Sequence, residues 1–194
     1  PEAVTATFRV DPELGRLAVA LHRAAELRIW VLLRQWVREH DGSGWIEREH
    51  LTRLLSEQGV RYSPRHLRRL LAAGEGQFWN VTRQRVYLRS WAHLAAHLTQ
   101  AARARKTGDS GRNRPGVREL YVPVAGSLEQ WEAQLYAAWL AYRNKPTIAR
   151  SQLSLLFGRD RTVLRRWERT RLAGQLTVRH NFAQCPNHET FFQH

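Results

Sequence analysis

The stretch from Arg150 to Trp167 constrains the fold more than any other part of the chain. Its apolar positions are spaced three and four apart on both sides of Gly158, a spacing typical of two short amphipathic helices. Leu153 and Phe157 are expected to face inward from the first helix, and Leu164 and Trp167 from the second. Gly158 supplies the turn between them.

The outward face of the second predicted helix is strongly basic. Small Ser154 allows the two helices to cross closely, and the whole stretch resembles a helix-turn-helix motif. The resemblance implies a recognition helix whose side chains reach phosphates and guanine edges of DNA. So many cations on one short helix repel one another unless an anion is nearby, which favours DNA contact over a merely solvated face. The candidate residues are Arg159, Arg161, Thr162, Arg165, Arg166 and Arg169.

A related pattern lies in the first half of the chain. A helix predicted over 49–58 ends at Gly59, and a longer turn leads to Ser63-Pro64, a cap followed by a first-turn proline. A hairpin follows, with strands at 77–81 and 85–88. This order resembles the winged variant of the helix-turn-helix. The resemblance implies that Ser63, Arg65, His66, Arg68 and Arg69 face the major groove, and that Arg83 and Arg85 at the hairpin tip reach a minor groove or the backbone. The alternative is a hairpin that only closes the core.

The remaining apolar patterns place these motifs in a repeated element order. One long helix is expected to begin at the cap Asp11 with Pro12 in its first turn and to end at about residue 40. A strand is expected over 45–47 and a helix from Trp91 to about residue 105. Residues 106–118 are polar, charged and rich in glycine, which predicts a linker.

The second half starts with a short extended segment over 119–124 and a capped helix from Ser127. A strand at 147–148 and a closing hairpin of 176–178 with 190–192 complete the repeat. We therefore expect a mainly α protein with small β-hairpins, built as two winged helix-turn-helix domains in tandem: residues 1–105, a linker at 106–118, and residues 119–194.

The overall charge is consistent with a polyanionic partner. The chain of 194 residues has 31 Lys and Arg against 17 Asp and Glu, a formal net charge of +14. It has no apolar run long enough to span a membrane and one cysteine, which together favour a cytoplasmic protein without a disulfide. The absence of Met is expected of a processed chain or of part of a larger one with further domains or protein partners.

Catalytic and metal-binding patterns are weak. The chain has no Walker loop, no GxGxxG and no nucleophile elbow, so we expect neither an enzyme nor a cofactor. His93 and His97 stand one helical turn apart but lack the glutamate of HExxH. His180, Cys185 and His188 leave a zinc site open as an alternative to a polar loop.

Tandem winged helices occur in plasmid and phage replication initiators, in transcription regulators and in accessory subunits of chromosome-condensing complexes. The strong positive charge argues against the last class. The sequence thus predicts specific binding of double-stranded DNA in replication initiation or transcription regulation of a bacterial or mobile-element system. Two alternatives stay open: a subunit that docks on acidic proteins, or a binder of RNA or single strands that stacks bases on Trp79, Tyr87 or Tyr62.

Overall fold

A computed structural model describes residues 7–40, 42–105, 120–123, 126–143, 148–169, 181–184 and 190–193. Within these ranges the protein is mainly helical with small antiparallel sheets, as the sequence predicts. The helices are α1 (Pro12–Ala20), α2 (Ala24–His40), α3 (Leu51–Glu57), α4 (Pro64–Gly74), α5 (Trp91–Ala104), α6 (Leu128–Arg143), α7 (Arg150–Phe157) and α8 (Arg161–Arg169). The strands are β1 (Thr7–Val10), β2 (Trp45–Glu47), β3 (Trp79–Val81), β4 (Arg85–Leu88), β5 (Leu120–Pro123), β6 (Asn181–Gln184) and β7 (Thr190–Gln193).

The predicted helix starts are confirmed by their capping hydrogen bonds. The Asp11 carboxylate accepts from the Leu14 amide at 2.9 Å, and the Ser63 hydroxyl accepts from the His66 amide at 3.2 Å. In both helices a proline occupies the first turn, where its missing N–H costs nothing. These caps fix where α1 and α4 begin.

The long helix predicted from Asp11-Pro12 to about residue 40 is two helices, α1 and α2. His22 has a φ of +58°, and the amide of Arg23 donates to the carbonyl of Ala18 at 2.7 Å, which ends α1 before α2 begins. The break lets α1 pack on α6 and α7 while α2 packs on α4 and β1. The apolar steps of three and four continue across this short turn, which is why the sequence pattern does not reveal it.

The predicted hairpin of the first half is confirmed, and it is part of a three-stranded sheet. β4 lies between β2 and β3, and Ile46 opposes Val86 in the β2–β4 pair. Both of these side chains are fully buried, so one face of the sheet closes the core. The other face is open to solvent.

Two further strand pairs lie outside this sheet. β1 pairs antiparallel with β5, which brings the start of the described chain against the segment predicted to be extended. β7 contains the predicted 190–192 strand but pairs with β6, whereas the predicted partner at 176–178 lies outside the described residues. Ile148 is described and lies in no strand, so the predicted strand at 147–148 is not formed there.

Residues of both halves share one continuous core. α1 packs against α6, α5 and α7, and the indole of Trp131 on α6 donates to the carbonyl of Ala24 on α2 at 3.1 Å. Apolar residues of α1, α2 and α6 belong to the same buried cluster. The predicted linker at 106–118 lies outside the described residues, and the domain limits remain a prediction.

A buried network of charged residues connects α1, α6 and α7 within this shared core. Arg16 of α1 is 1% exposed and donates from Nε and Nη2 to the Glu13 carboxylate, at 2.8 and 2.6 Å. Its Nη1 donates to the carbonyl of Leu156 on α7 at 2.7 Å, and the Trp139 indole of α6 donates to the other Glu13 oxygen at 2.8 Å. Through Nη1 of Arg16 and the second oxygen of Glu13, this pair connects α1 to α7 and to α6.

Candidate nucleic-acid interface

The α7–α8 unit has the geometry that its sequence predicts. Leu153, Phe157, Leu164 and Trp167 are all buried, and Gly158 has the left-handed backbone of the turn, with a φ of +57°. The Ser154 hydroxyl does more than leave space for a crossing helix, because it donates to the carbonyl of Arg159 at 2.6 Å.

Asp160 caps the start of α8. Its carboxylate accepts from the amide and the hydroxyl of Thr162, at 2.7 and 2.6 Å. These hydrogen bonds hold the pKa of the exposed Asp160 carboxyl below its usual value. The start of α8 thus already carries an anion, so phosphate binding by this helix depends on its side chains.

The acidic residue of α8 faces the protein. Glu168 accepts from the Tyr136 hydroxyl of α6 at 2.8 Å and from the Arg150 guanidinium of α7 at 2.9 Å. Burial, followed by the Glu168 charge, raises the pKa of Tyr136. Glu168 is the one acid of α8, and these contacts direct its negative charge toward α6 and α7.

Of the six DNA contacts predicted for α8 and the turn before it, four are exposed and form the cationic face of α8: Arg161, Thr162, Arg165 and Arg169. Arg166 is also exposed, at 56% of its side chain, but forms an ion pair with Glu129 of α6. It therefore lies at the edge of the cationic face.

The partly buried Arg159 side chain contacts two other residues of the protein. Its guanidinium forms an ion pair with Glu132 of α6 and donates to Nδ1 of His22 at 2.8 Å. Burial raises the pKa of Glu132 despite the neighbouring guanidinium, and burial together with the charges of Arg159 and Arg105 lowers the pKa of His22. Arg159 thus joins the turn before α8 to the α1–α2 turn.

The outward face of α4 is also cationic. Arg65, Arg68 and Arg69 are exposed, while Leu67 and the other apolar side chains of the helix face the core, and α4 contains no acid. Arg68 Nε donates to the carbonyl of Pro64 at 3.4 Å, within its own helix.

His66 is less exposed than the arginines around it on α4. It is half-buried, and its ring stacks on Tyr62 with centroids 5.2 Å apart. Its Nδ1 lies 3.4 Å from Nη2 of Arg69. Ser63 serves as the cap of α4, as described above.

Near the hairpin tip, the fold adds Arg48 to the two arginines that the sequence pattern identifies, Arg83 and Arg85. Arg83 is exposed in the turn, and the Arg85 guanidinium lies 3.8 Å from the centroid of the Trp45 ring. Arg48 joins them because its amide donates to the carbonyl of Gln84 at 2.8 Å, a contact that exists only once β2 pairs with β4.

These residues line an open cavity of about 650 Å³ next to the sheet. Its walls are formed by Glu47, Arg48, Glu49, Arg83, Gln84 and Arg85. Possible metal ligands of Glu47, Glu49 and His50 lie within 4.8 Å of one another beside it, and His50 pairs with both carboxylates.

The structure also bears on the predicted base-stacking residue Trp79 and on the two histidine patterns. Trp79 is fully buried and donates to the carbonyl of Leu71 at 2.8 Å, so the prediction that it stacks a base is wrong. Nε2 of His93 lies 3.2 Å from the carbonyl of Gly76, and its ring stacks on His97. The possible zinc ligands His180, Cys185 and His188 lie outside the described residues.

A comparison of the chain with protein families, curated proteins and solved structures finds no match. Among the helices of the described ranges, each is too short or too polar to cross a lipid bilayer.

Proposed function

We propose that the protein binds double-stranded DNA through the outward faces of α4 and α8. The observation that carries the proposal is the separation of charge on these two helices. α4 has three exposed arginines and no acid, and α8 presents three exposed arginines while Glu168 faces inward. A helix face that is rich in arginine and poor in acids suits the phosphate backbone and guanine edges of a duplex.

The element order supports two winged helix-turn-helix units as the scaffold. α3, α4 and the β3–β4 hairpin follow one another as in a winged helix, and α7 and α8 meet at the tight Gly158 turn. In this assignment α4 and α8 are recognition helices. Contact with successive turns of one duplex would place their sites about 10 bp apart.

The proposed role is that of a cytoplasmic, sequence-specific DNA-binding protein in replication initiation or transcription regulation. Both processes use the same chemistry at the protein surface: phosphate contacts fix the register and base contacts select the site. No acid–base or metal chemistry is part of the proposal.

The test compares two binding variants with a charge-matched control. One variant replaces Arg65, Arg68 and Arg69 with Gln, and the second replaces Arg161, Arg165 and Arg169 with Gln. The control replaces Arg34, Arg38 and Arg103, which are exposed on α2 and α5, and therefore loses the same three charges.

Fluorescence anisotropy with a labelled duplex measures the three variants at one salt concentration. Loss of base and phosphate contacts is expected to weaken duplex binding by about tenfold or more in each binding variant, since one base-reading contact is worth ~1–3 kcal/mol. The control should lose far less. Equal losses in all three variants would contradict the assignment, because only net charge would then matter.

A further inference from the structure

The solvent-facing side of the three-stranded sheet carries aromatic side chains and an arginine that do not form part of the core. In β4, Val86 is fully buried and the alternation of the strand turns Arg85 and Tyr87 outward. Trp45 opposes Tyr87, and Glu47 opposes Arg85, on the neighbouring strand. We call the set Trp45, Arg85 and Tyr87 the aromatic platform.

The platform residues do not serve the core. Tyr87 is 39% exposed and Trp45 is half-buried, and neither belongs to the buried apolar cluster or to the side chains packed against it. By contrast, Phe78 and Trp79 of the same hairpin region are fully buried. Two large aromatic side chains are thus kept side by side at the surface.

Arg85 adds a third planar group. Its guanidinium lies 3.8 Å from the Trp45 ring centroid, a cation–π contact, and the Arg85 side chain is half-buried at the start of β4. Nucleobases stack on aromatic rings and on guanidinium planes in this way when they are unpaired. Paired bases inside a duplex do not present a free face.

The adjoining cavity provides groups for the rest of a nucleotide. Its volume of about 650 Å³ lies within the roughly 300–1,000 Å³ of small-molecule sites. Arg48 and Arg83 are placed to contact phosphates, whereas Glu47 and Glu49 can accept from amino groups on base edges.

We propose that the aromatic platform and the adjoining cavity bind unpaired nucleobases of single-stranded DNA or RNA, as a site separate from α4 and α8. Base stacking on Tyr87 and on the Arg85–Trp45 pair supplies most of the affinity. The phosphates between the stacked bases lie along Arg48 and Arg83. This site does not depend on the proposed duplex binding, since it shares no residue with the two helix faces.

The test uses the full chain and labelled single strands of roughly 12 nucleotides, within the range of known single-strand sites. Oligodeoxycytidine, oligocytidine and a duplex are titrated by anisotropy against wild type, Tyr87→Ala, Tyr87→Phe and Arg85→Gln. Tyr142→Ala is the matched control, since it removes a half-buried tyrosine of α6.

We expect Tyr87→Ala to weaken single-strand binding by at least about 5-fold, since stacking on one aromatic contributes substantially to affinity. Tyr87→Phe keeps the ring and should bind as wild type, whereas Arg85→Gln should lose both a stacking plane and a charge. Duplex affinity should stay unchanged for Tyr87→Ala. Tighter binding of one of the two single strands would assign the natural source as DNA or RNA.

Photocrosslinking provides a readout that a purely structural role for Tyr87 would not give. A single strand containing 5-iodocytosine should crosslink to the peptides that carry Trp45 or Tyr87. The proposal would be overturned if folded Tyr87→Ala bound single strands like wild type, or if crosslinks mapped only to α4 or α8. Loss of duplex binding in the helix variants with retained single-strand binding would leave this site intact.

Discussion

Replacing Arg16 with Met tests how the candidate interface is held in place. The substitution preserves the aliphatic length of the side chain and removes the guanidinium that joins Glu13 of α1 to the carbonyl of Leu156 on α7. The Glu13 carboxylate then stays buried with the Trp139 indole as its remaining donor from this network. An uncompensated buried charge of this kind costs about 3–5 kcal/mol.

That loss is a large share of the roughly 5–15 kcal/mol by which a folded protein is stable. Urea unfolding followed by tryptophan fluorescence and far-ultraviolet circular dichroism should show a much lower midpoint with a similar slope. The double variant Glu13→Gln with Arg16→Met removes the stranded charge and keeps an acceptor for Trp139. We therefore expect it to be more stable than Arg16→Met alone.

The reasoning would be refuted by a loss below about 1 kcal/mol in Arg16→Met, the range of an exposed ion pair. It would also fail if the double variant were no more stable than the single one. In that case the buried charge would not be the origin of the effect.

Two further predictions concern the turn between α7 and α8 and the turn between α1 and α2. Gly158→Ala should lower the free energy of unfolding by about 1–3 kcal/mol, since its Cβ would lie 2.9 Å from the carbonyl oxygen of Ala20 at a φ of +57°. The control is Gly42→Ala, which has a φ of +67° but open space around it. It should lower the free energy of unfolding by less in the same urea experiment. For His22, burial and then the Arg159 charge lower the folded-state pKa, so the unfolded chain binds the proton more readily. Stability should therefore fall as pH drops below about 6.5, the ordinary histidine pKa, and His22→Asn should reduce that fall; identical pH profiles for the two proteins would exclude the effect.

The local structure around the helix starts and the Gly158 turn could be predicted from sequence because it depends on near neighbours. Ser63-Pro64 and Asp11-Pro12 are recognisable caps, and both form the expected hydrogen bonds. The apolar spacing of α7 and α8 correctly identifies the buried side chains. In each case the physical cause lies within a few residues along the chain.

The break between α1 and α2 and the network of Arg16 could not be predicted in this way. His22 has a left-handed φ of +58°, and the apolar spacing of the sequence continues across it, so the pattern does not mark the break. Likewise, Glu13 and Arg16 look like an exposed pair on a helix surface. Only the approach of Trp139 and Leu156 from the distant half of the chain buries them.

The candidate interface likewise contains some features that the sequence predicts and others that depend on contacts between distant residues. The arginines of α4 and α8 are found by their spacing, since a helical period separates the inward from the outward face. The ion pair of Arg159 with Glu132 and the position of Arg85 over Trp45 depend on long-range packing and strand pairing. A sequence pattern identifies cations but not the partners that already hold some of them.

The salt dependence of duplex binding tests the central claim most directly. Anisotropy titrations at about 50 and 200 mM salt should show a roughly 10³-fold or greater loss of affinity for the wild type if six or more phosphates are neutralised. Each phosphate-contacting arginine removed from α4 or α8 should reduce the slope of log affinity against log salt by about one, while the Arg34, Arg38 and Arg103 control keeps the wild-type slope. A shallow slope, or one that the α4 and α8 variants leave unchanged, would contradict binding of double-stranded DNA by these two helices.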